Sequence, residues 1–174
     1  MGSSAWSDDT YKHIKHDYST KAKAEIFTSD KLDKDMNPYG VKFRESRDSE
    51  AHPNSVAIMA NLDETGSMGD IPEYLIKNKL GALMNTLINH GIPDAHVMFA
   101  GVGDHLSDRA PFQAGQFEAG TKELDLWLTK IYLEGNGGGH GMESYSLAWY
   151  FAARHTSIDC FEKREEKGFL FTIG

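Results

Sequence analysis

Apolar residues along this chain fall into two kinds of run. Residues 55–62 (Ser-Val-Ala-Ile-Met-Ala-Asn-Leu), 95–101 (Ala-His-Val-Met-Phe-Ala-Gly) and 167–173 are short and mostly apolar, the pattern of strands covered on both faces. Elsewhere the spacing is three and four. Ile71, Tyr74, Leu75, Leu80, Leu83, Met84, Leu87 and Ile88 mark a helix over 71–88, with Pro72 tolerated in its first turn and Gly91 and Pro93 stopping it. Leu124, Trp127, Leu128, Ile131 and Tyr132 mark a second over 121–133, with Thr121 or Gly120 placed to cap it. A third, over 143–155, is apolar nearly all round, at Tyr145, Leu147, Ala148, Trp149, Phe151 and Ala152. Trp127 and Trp149 are expected in the core, residues 111–118 as a short edge element, and residues 135–141 are too glycine-rich for regular structure. Strands alternating with helices predict an α/β domain built on a mostly parallel sheet with right-handed crossovers.

Residues 1–54 have a different texture. Lys, Asp, Ser and Thr dominate, and apolar groups are isolated at Ile26-Phe27, Val41 and Phe43. The reading is a polar N-terminal extension, partly ordered, that wraps a domain spanning 55–174 through those few side chains. The whole chain has 174 residues, enough for one sizeable core, and a formal charge of −8 with no basic stripe, which argues against binding nucleic acid through its phosphates. A cation or a basic partner suits that charge better. The single cysteine, Cys160, excludes an intrachain disulfide and is expected as an inert, buried thiol. No signal-peptide core and no span of about 20 apolar residues is present, so a cytoplasmic protein that does not engage a membrane is expected.

Chemistry concentrates where the first strand ends. Asp63-Glu64-Thr65-Gly66-Ser67 is an acidic, hydroxyl-rich turn between strand and helix, and in open parallel sheets ligands gather beyond the strands' carboxyl ends. Oxygen donors alone favour hard cations such as Mg2+ or Mn2+ over zinc, and no His-x-x-x-His pair appears among the eight histidines. Asp63 and Ser67 are equally residues that cap a helix.

Asp63-x-Thr65-x-Ser67 closing a first core strand resembles the Asp-x-Ser-x-Ser opening of the metal-ion-dependent adhesion site (MIDAS) of von Willebrand factor A (vWA) domains. The strand ending Gly101-Val102-Gly103-Asp104 and the glycine-rich loop before the next helix extend the resemblance over roughly residues 55–174, closest to stand-alone vWA proteins of phages and bacteria. The resemblance implies a doubly wound sheet with helices on both faces, vWA or Rossmann-like. It also implies that Thr65 and Ser67 bind the metal directly, while Asp63 acts through water or by orienting the hydroxyls. The family's second loop brings a Thr; here Glu143 stands at or beside that position, with Ser144 as fallback and His140 behind it. The metal set expected is therefore Asp63, Thr65, Ser67 and Glu143, then Ser144 and Asp104, with Asp108 a further compensating carboxylate. The family's third loop supplies an Asp directly after the strand that here ends at Gly174, so the resemblance implies either a form truncated at its C-terminus or a sheet edge covered by another subunit.

The function implied is a protein-binding adhesion or scaffold module, with an acidic partner side chain completing the metal shell and homo-oligomerisation as an option. A metal-dependent phosphohydrolase is the rival, because an aspartate beside Mg2+ at a strand end also describes haloacid dehalogenase-like phosphatases. Those enzymes need a second aspartate two residues on, where this chain has Thr65, so no catalytic residue is assigned. A structural or assembly protein with a vestigial site is the third reading. Lys163-Arg164-Glu165-Glu166-Lys167 reads as a solvated turn.

Overall fold

The computed structural model describes residues 4–64, 70–134 and 144–174. In chain order these form α1 (Asp8–Tyr18), α2 (Lys23–Ile26), β1 (Arg44–Ser46), β2 (Val56–Asp63), α3 (Ile71–Tyr74), a π-helical turn (Leu75–Lys79), α4 (Leu80–Asn89), β3 (Ala95–Val102), β4 (Phe112–Ala114), α5 (Thr121–Thr129), α6 (Tyr145–Arg154), β5 (Thr156–Ile158), α7 (Asp159–Arg164) and β6 (Phe169–Ile173). The chain is thus mixed α/β, and most of its strand pairs are parallel.

The main sheet has the order β4-β3-β2-β6. β2 runs parallel to β3 from Val56↔Ala95 to Asp63↔Val102, and parallel to β6 from Ile58↔Phe169 to Leu62↔Ile173. β4 is an antiparallel edge on β3, as expected for part of 111–118. Alternation along β2 divides its side chains between two cores. Ile58, Ala60 and Leu62 join Val97 and Phe99 on one face, against side chains of α1, α2, α4 and α5. Ala57 and Met59 join Met98, Ala100 and Val102 on the other, with Ala148 and Phe151 of α6 and Cys160 of α7. Each fully covered apolar side chain contributes about 1.5–3 kcal/mol, so β2 and β3 together anchor the fold.

Several expectations need correction. β6 is an exposed edge strand rather than a third core strand: all five of its residues are open to solvent, Phe171 at 51%. Trp149 is 57% exposed, because a helix apolar all round cannot turn every side chain toward one sheet. Trp127 is partly buried and lies beneath the cations of Arg44 and Lys130. α5 stops at Thr129, four residues short of the expected end, and Ile131 is buried beyond the helix. Lys163 and Arg164 close α7 in ion pairs: Arg164 with Asp48 at 2.8 Å, and Lys163 with Asp159 at 2.6 Å. A second, two-stranded parallel sheet, β1-β5, was not foreseen; Arg47, just after β1, clamps it to α7 through Asp159 at 2.8 Å and Glu162 at 2.7 Å.

The first 54 residues carry more structure than their polarity suggests. Ile26, Phe27 and Met36 are buried in the first core, whereas Phe43 is 46% exposed. α1 starts at Ser7, whose hydroxyl accepts the Thr10 N–H, with Asp8 and Asp9 favourably placed in the first turn. Tyr11 is its one buried residue, and its ring fits against Gly81, where a Cβ would meet Cε1 at 2.5 Å. The Tyr11 hydroxyl donates to the Ile76 carbonyl at 2.9 Å and receives the Gly81 N–H. It therefore bridges the helical ladder where the π turn has opened it, a side-chain insertion of the kind that interrupts helices.

At the amino-terminal end of the sheet, His52 and His96 pack edge to face at 5.2 Å, both buried. His96 Nδ1 lies 3.1 Å from Ser46 Oγ, and Nε2 has no partner among the described residues. Burial first, and the neighbouring His52 next, lower its pKa from 6.5 to about 4, against the opposing pull of Asp94 and Asp48.

Two outcomes follow from this packing. Tyr11→Phe keeps the ring but leaves a buried carbonyl and N–H unpaired, and should lower unfolding free energy in urea by about 2 kcal/mol. Below pH 6.5 the unfolded chain takes up a proton at position 96 that the folded one refuses until about pH 4. Stability should therefore fall across that window, by at most about 3 kcal/mol. In His96→Leu that part of the acid slope should vanish, read from urea midpoints at pH 7 and pH 4.5.

Candidate functional site

β2 delivers two carboxylates to its carboxyl end, and the strand's alternation sends them to opposite faces. Asp63, 2% exposed, follows Ala57 and Met59 onto the face covered by α6. There Tyr145, the first residue of α6, donates its hydroxyl to Asp63 Oδ2 at 2.8 Å. Gly174 follows β6 at the same place: a Cβ there would lie 3.0 Å from Asp63 Oδ2 and collide with the Tyr145 hydroxyl. Three elements, β2, α6 and the end of β6, thus meet at one carboxylate.

Glu64 goes to the other face, 1% exposed. Its Oε2 accepts from Gln113 Nε2 at 2.5 Å; Gln113 is itself held by the backbone of Tyr132, donating to the carbonyl and accepting the N–H, each at 2.9 Å. Oε1 is buried with no partner among the described residues. Burial foremost raises the Glu64 pKa well above the usual carboxylate range; Gln113 opposes this, and the charges of Asp108, Glu134 and Asp63 add to it. Charge and burial at this edge of the sheet thus both act against ionisation of Glu64.

The remaining residues shape the rim. Asp104 engages its own loop: Oδ1 accepts the Leu106 N–H at 2.9 Å, Oδ2 accepts the Ser107 hydroxyl at 2.9 Å, and its N–H donates to Asp108 at 2.6 Å. Ser144 precedes α6; its Oγ accepts the His105 N–H at 3.0 Å and lies 2.8 Å from His105 Nδ1, while its own N–H donates to the Gly103 carbonyl at 2.9 Å. The β3 exit is thereby tied to the start of α6.

Of the residues expected to bind metal, Asp63, Asp104 and Ser144 are described, and all three stand at this one edge. Thr65, Ser67 and Glu143, with His140, lie outside the described residues. Among the described residues, no group of three His, Cys, Asp or Glu side chains is arranged to hold a metal ion. Sequence reasoning missed Tyr145, taken as part of an apolar helical stripe, and Glu64, taken as part of a turn. A carboxylate one residue beyond a two-sided strand was the available signal for the second; nothing local marked the first. No family model matches the chain, and no curated protein or solved structure matches it. No described helix is long and apolar enough to cross a membrane.

Folding raises the Glu64 pKa, so its contribution to stability is complete below the unfolded value and is lost as pH rises toward the folded one. Glu64→Gln removes that loss while keeping the shape. In EDTA it should stabilise the protein by about 1–3 kcal/mol at pH 7 and much less at pH 4, measured by urea unfolding at both pH values.

Proposed function

We propose that this chain is a vWA-like, doubly wound α/β module that binds a protein partner through a divalent cation held at a MIDAS-like site. The observation that carries the reading is the Tyr145–Asp63 hydrogen bond. Asp63 stands just before the hydroxyl-bearing residues 65–67 in sequence and Tyr145 just after the glycine-rich stretch ending at Glu143, so residues flanking both proposed ligand segments are in contact at the carboxyl edge of the sheet. The parallel neighbours on both sides of β2 and the helical packing on both of its faces support the same reading.

In this proposal Thr65 and Ser67 hold Mg2+ or Mn2+ through their hydroxyls, Asp63 orients the shell or reaches the ion through water, and Glu143 supplies a carboxylate. The cation offers a Lewis-acidic position to an acidic side chain of the partner. An internal carboxylate from Glu143 partly satisfies the ion, so partner binding is weaker than at a site held mainly by neutral hydroxyls, or it requires the glycine loop to move.

Titration of the full chain with Mn2+, followed by the loss of free-ion paramagnetic resonance, should show one saturable site. Ser67→Ala should weaken that site, and Glu143→Gln should abolish it. A wild-type protein that leaves Mn2+ free, or a Glu143→Gln variant that titrates like wild type, overturns the assignment.

A further inference from the structure

We infer that the cavity enclosed by residues 37–39, the start of β4 and α6 is a binding site for a small, neutral, planar aromatic compound that carries an N–H or O–H donor. The inference is independent of the cation reading, since none of the lining residues belongs to the proposed metal set. The cavity measures about 370 Å³. Small-molecule sites have about 300–1,000 Å³, mostly apolar walls and a few placed polar groups. Here the walls are largely rings, those of Tyr39, Phe112, Tyr150, Phe151 and His155. Phe112 and Phe151 tilt together at 5.2 Å, while His155 lies stacked on Phe151 at 5.3 Å and tilted to Tyr150 at 5.9 Å. Such faces and edges suit a flat aromatic guest.

Charge narrows the class. Among the described residues that line the cavity there is no Lys, Arg, Asp or Glu, so a charged ligand would lose its hydration without an ion partner. An anion would also meet the chain's formal charge of −8. The rim is preformed. Tyr39 is 92% exposed, yet its N–H donates to Asn37 Oδ1 at 3.0 Å, the Val41 N–H closes a turn onto the Pro38 carbonyl at 3.2 Å, and Gly40 takes a φ of 79° inside that turn. Little backbone ordering is therefore left for a ligand to impose.

His155 supplies the polar handle. Its Nδ1 lies 2.9 Å from the Val41 carbonyl and 3.3 Å from that of Lys42; carbonyls only accept, so Nδ1 carries the hydrogen. In the neutral ring Nε2 is then the atom left to accept from a ligand. A compound that presents an acceptor there instead of a donor leaves Nε2 unpaired, which is how such a site discriminates.

The test titrates the full chain with indole and with benzofuran, followed by backbone amide chemical shifts. The two probes are alike in shape, but indole has an N–H where benzofuran has an oxygen. Indole should bind saturably with shifts centred on Tyr39, Tyr150 and His155, and benzofuran about fivefold more weakly, the effect of one hydrogen bond. His155→Phe keeps a ring and removes the acceptor; it should bring indole down to the level of benzofuran while leaving benzofuran near its wild-type affinity. Tyr150→Ala removes a wall and should weaken both probes. The inference is overturned by wild-type protein that binds no indole or binds it elsewhere, by equal affinities for the two probes, or by a preference that survives His155→Phe. Should that variant fail to fold, Tyr150→Ala decides, because Tyr150 is 62% exposed and its loss leaves the core intact; unchanged indole binding there overturns the assignment.

Discussion

Strand β2 is hydrogen-bonded along both edges and covered on both faces, and the position of every chemically interesting group follows from that confinement. A strand so held cannot slip by one residue without exchanging its two faces, which would bring Leu62 to the α6 side and Asp63 into the opposite core. The register therefore decides that Asp63 meets α6 and Glu64 meets Gln113. The chemistry of the carboxyl edge is a consequence of apolar packing several residues earlier in the strand.

Electrostatics at that edge run against folding. At Glu64 burial, and after it the charges of Asp108, Glu134 and Asp63, raise the cost of ionisation. The hydrogen bond from Gln113 opposes that penalty, while on the other face Asp63 accepts one from Tyr145. A buried carboxylate carried against that cost is a local loss of stability that the packing around β2 must offset.

How far the sequence could be read depended on whether a signal was local. β2, β3 and the helix at 71–89 announce themselves through runs and three-four spacing, and their bounds lie close to those expected. α1 does not, because only Tyr11 is buried in eleven residues and no stripe can form from one side chain. β6 reads as core by composition, but burial of its faces depends on what lies across the sheet, which a run of five residues cannot encode. Trp149 illustrates the converse, an apolar residue on the open side of its helix. The contact that organises the candidate site joins residues 82 apart, and neither partner has a neighbour that advertises it.

The hydroxyl of Tyr11 reaches a carbonyl 65 residues further along the chain and completes a ladder that the helix leaves open by itself. That helical stretch begins with α3 at Ile71 and runs on to Asn89. Trimming the chain from its amino end would accordingly leave a defect in a rod whose Ile76, Leu80 and Met84 are built into the first core, so the polar beginning of the protein behaves as an internal strut rather than as wrapping around a finished domain.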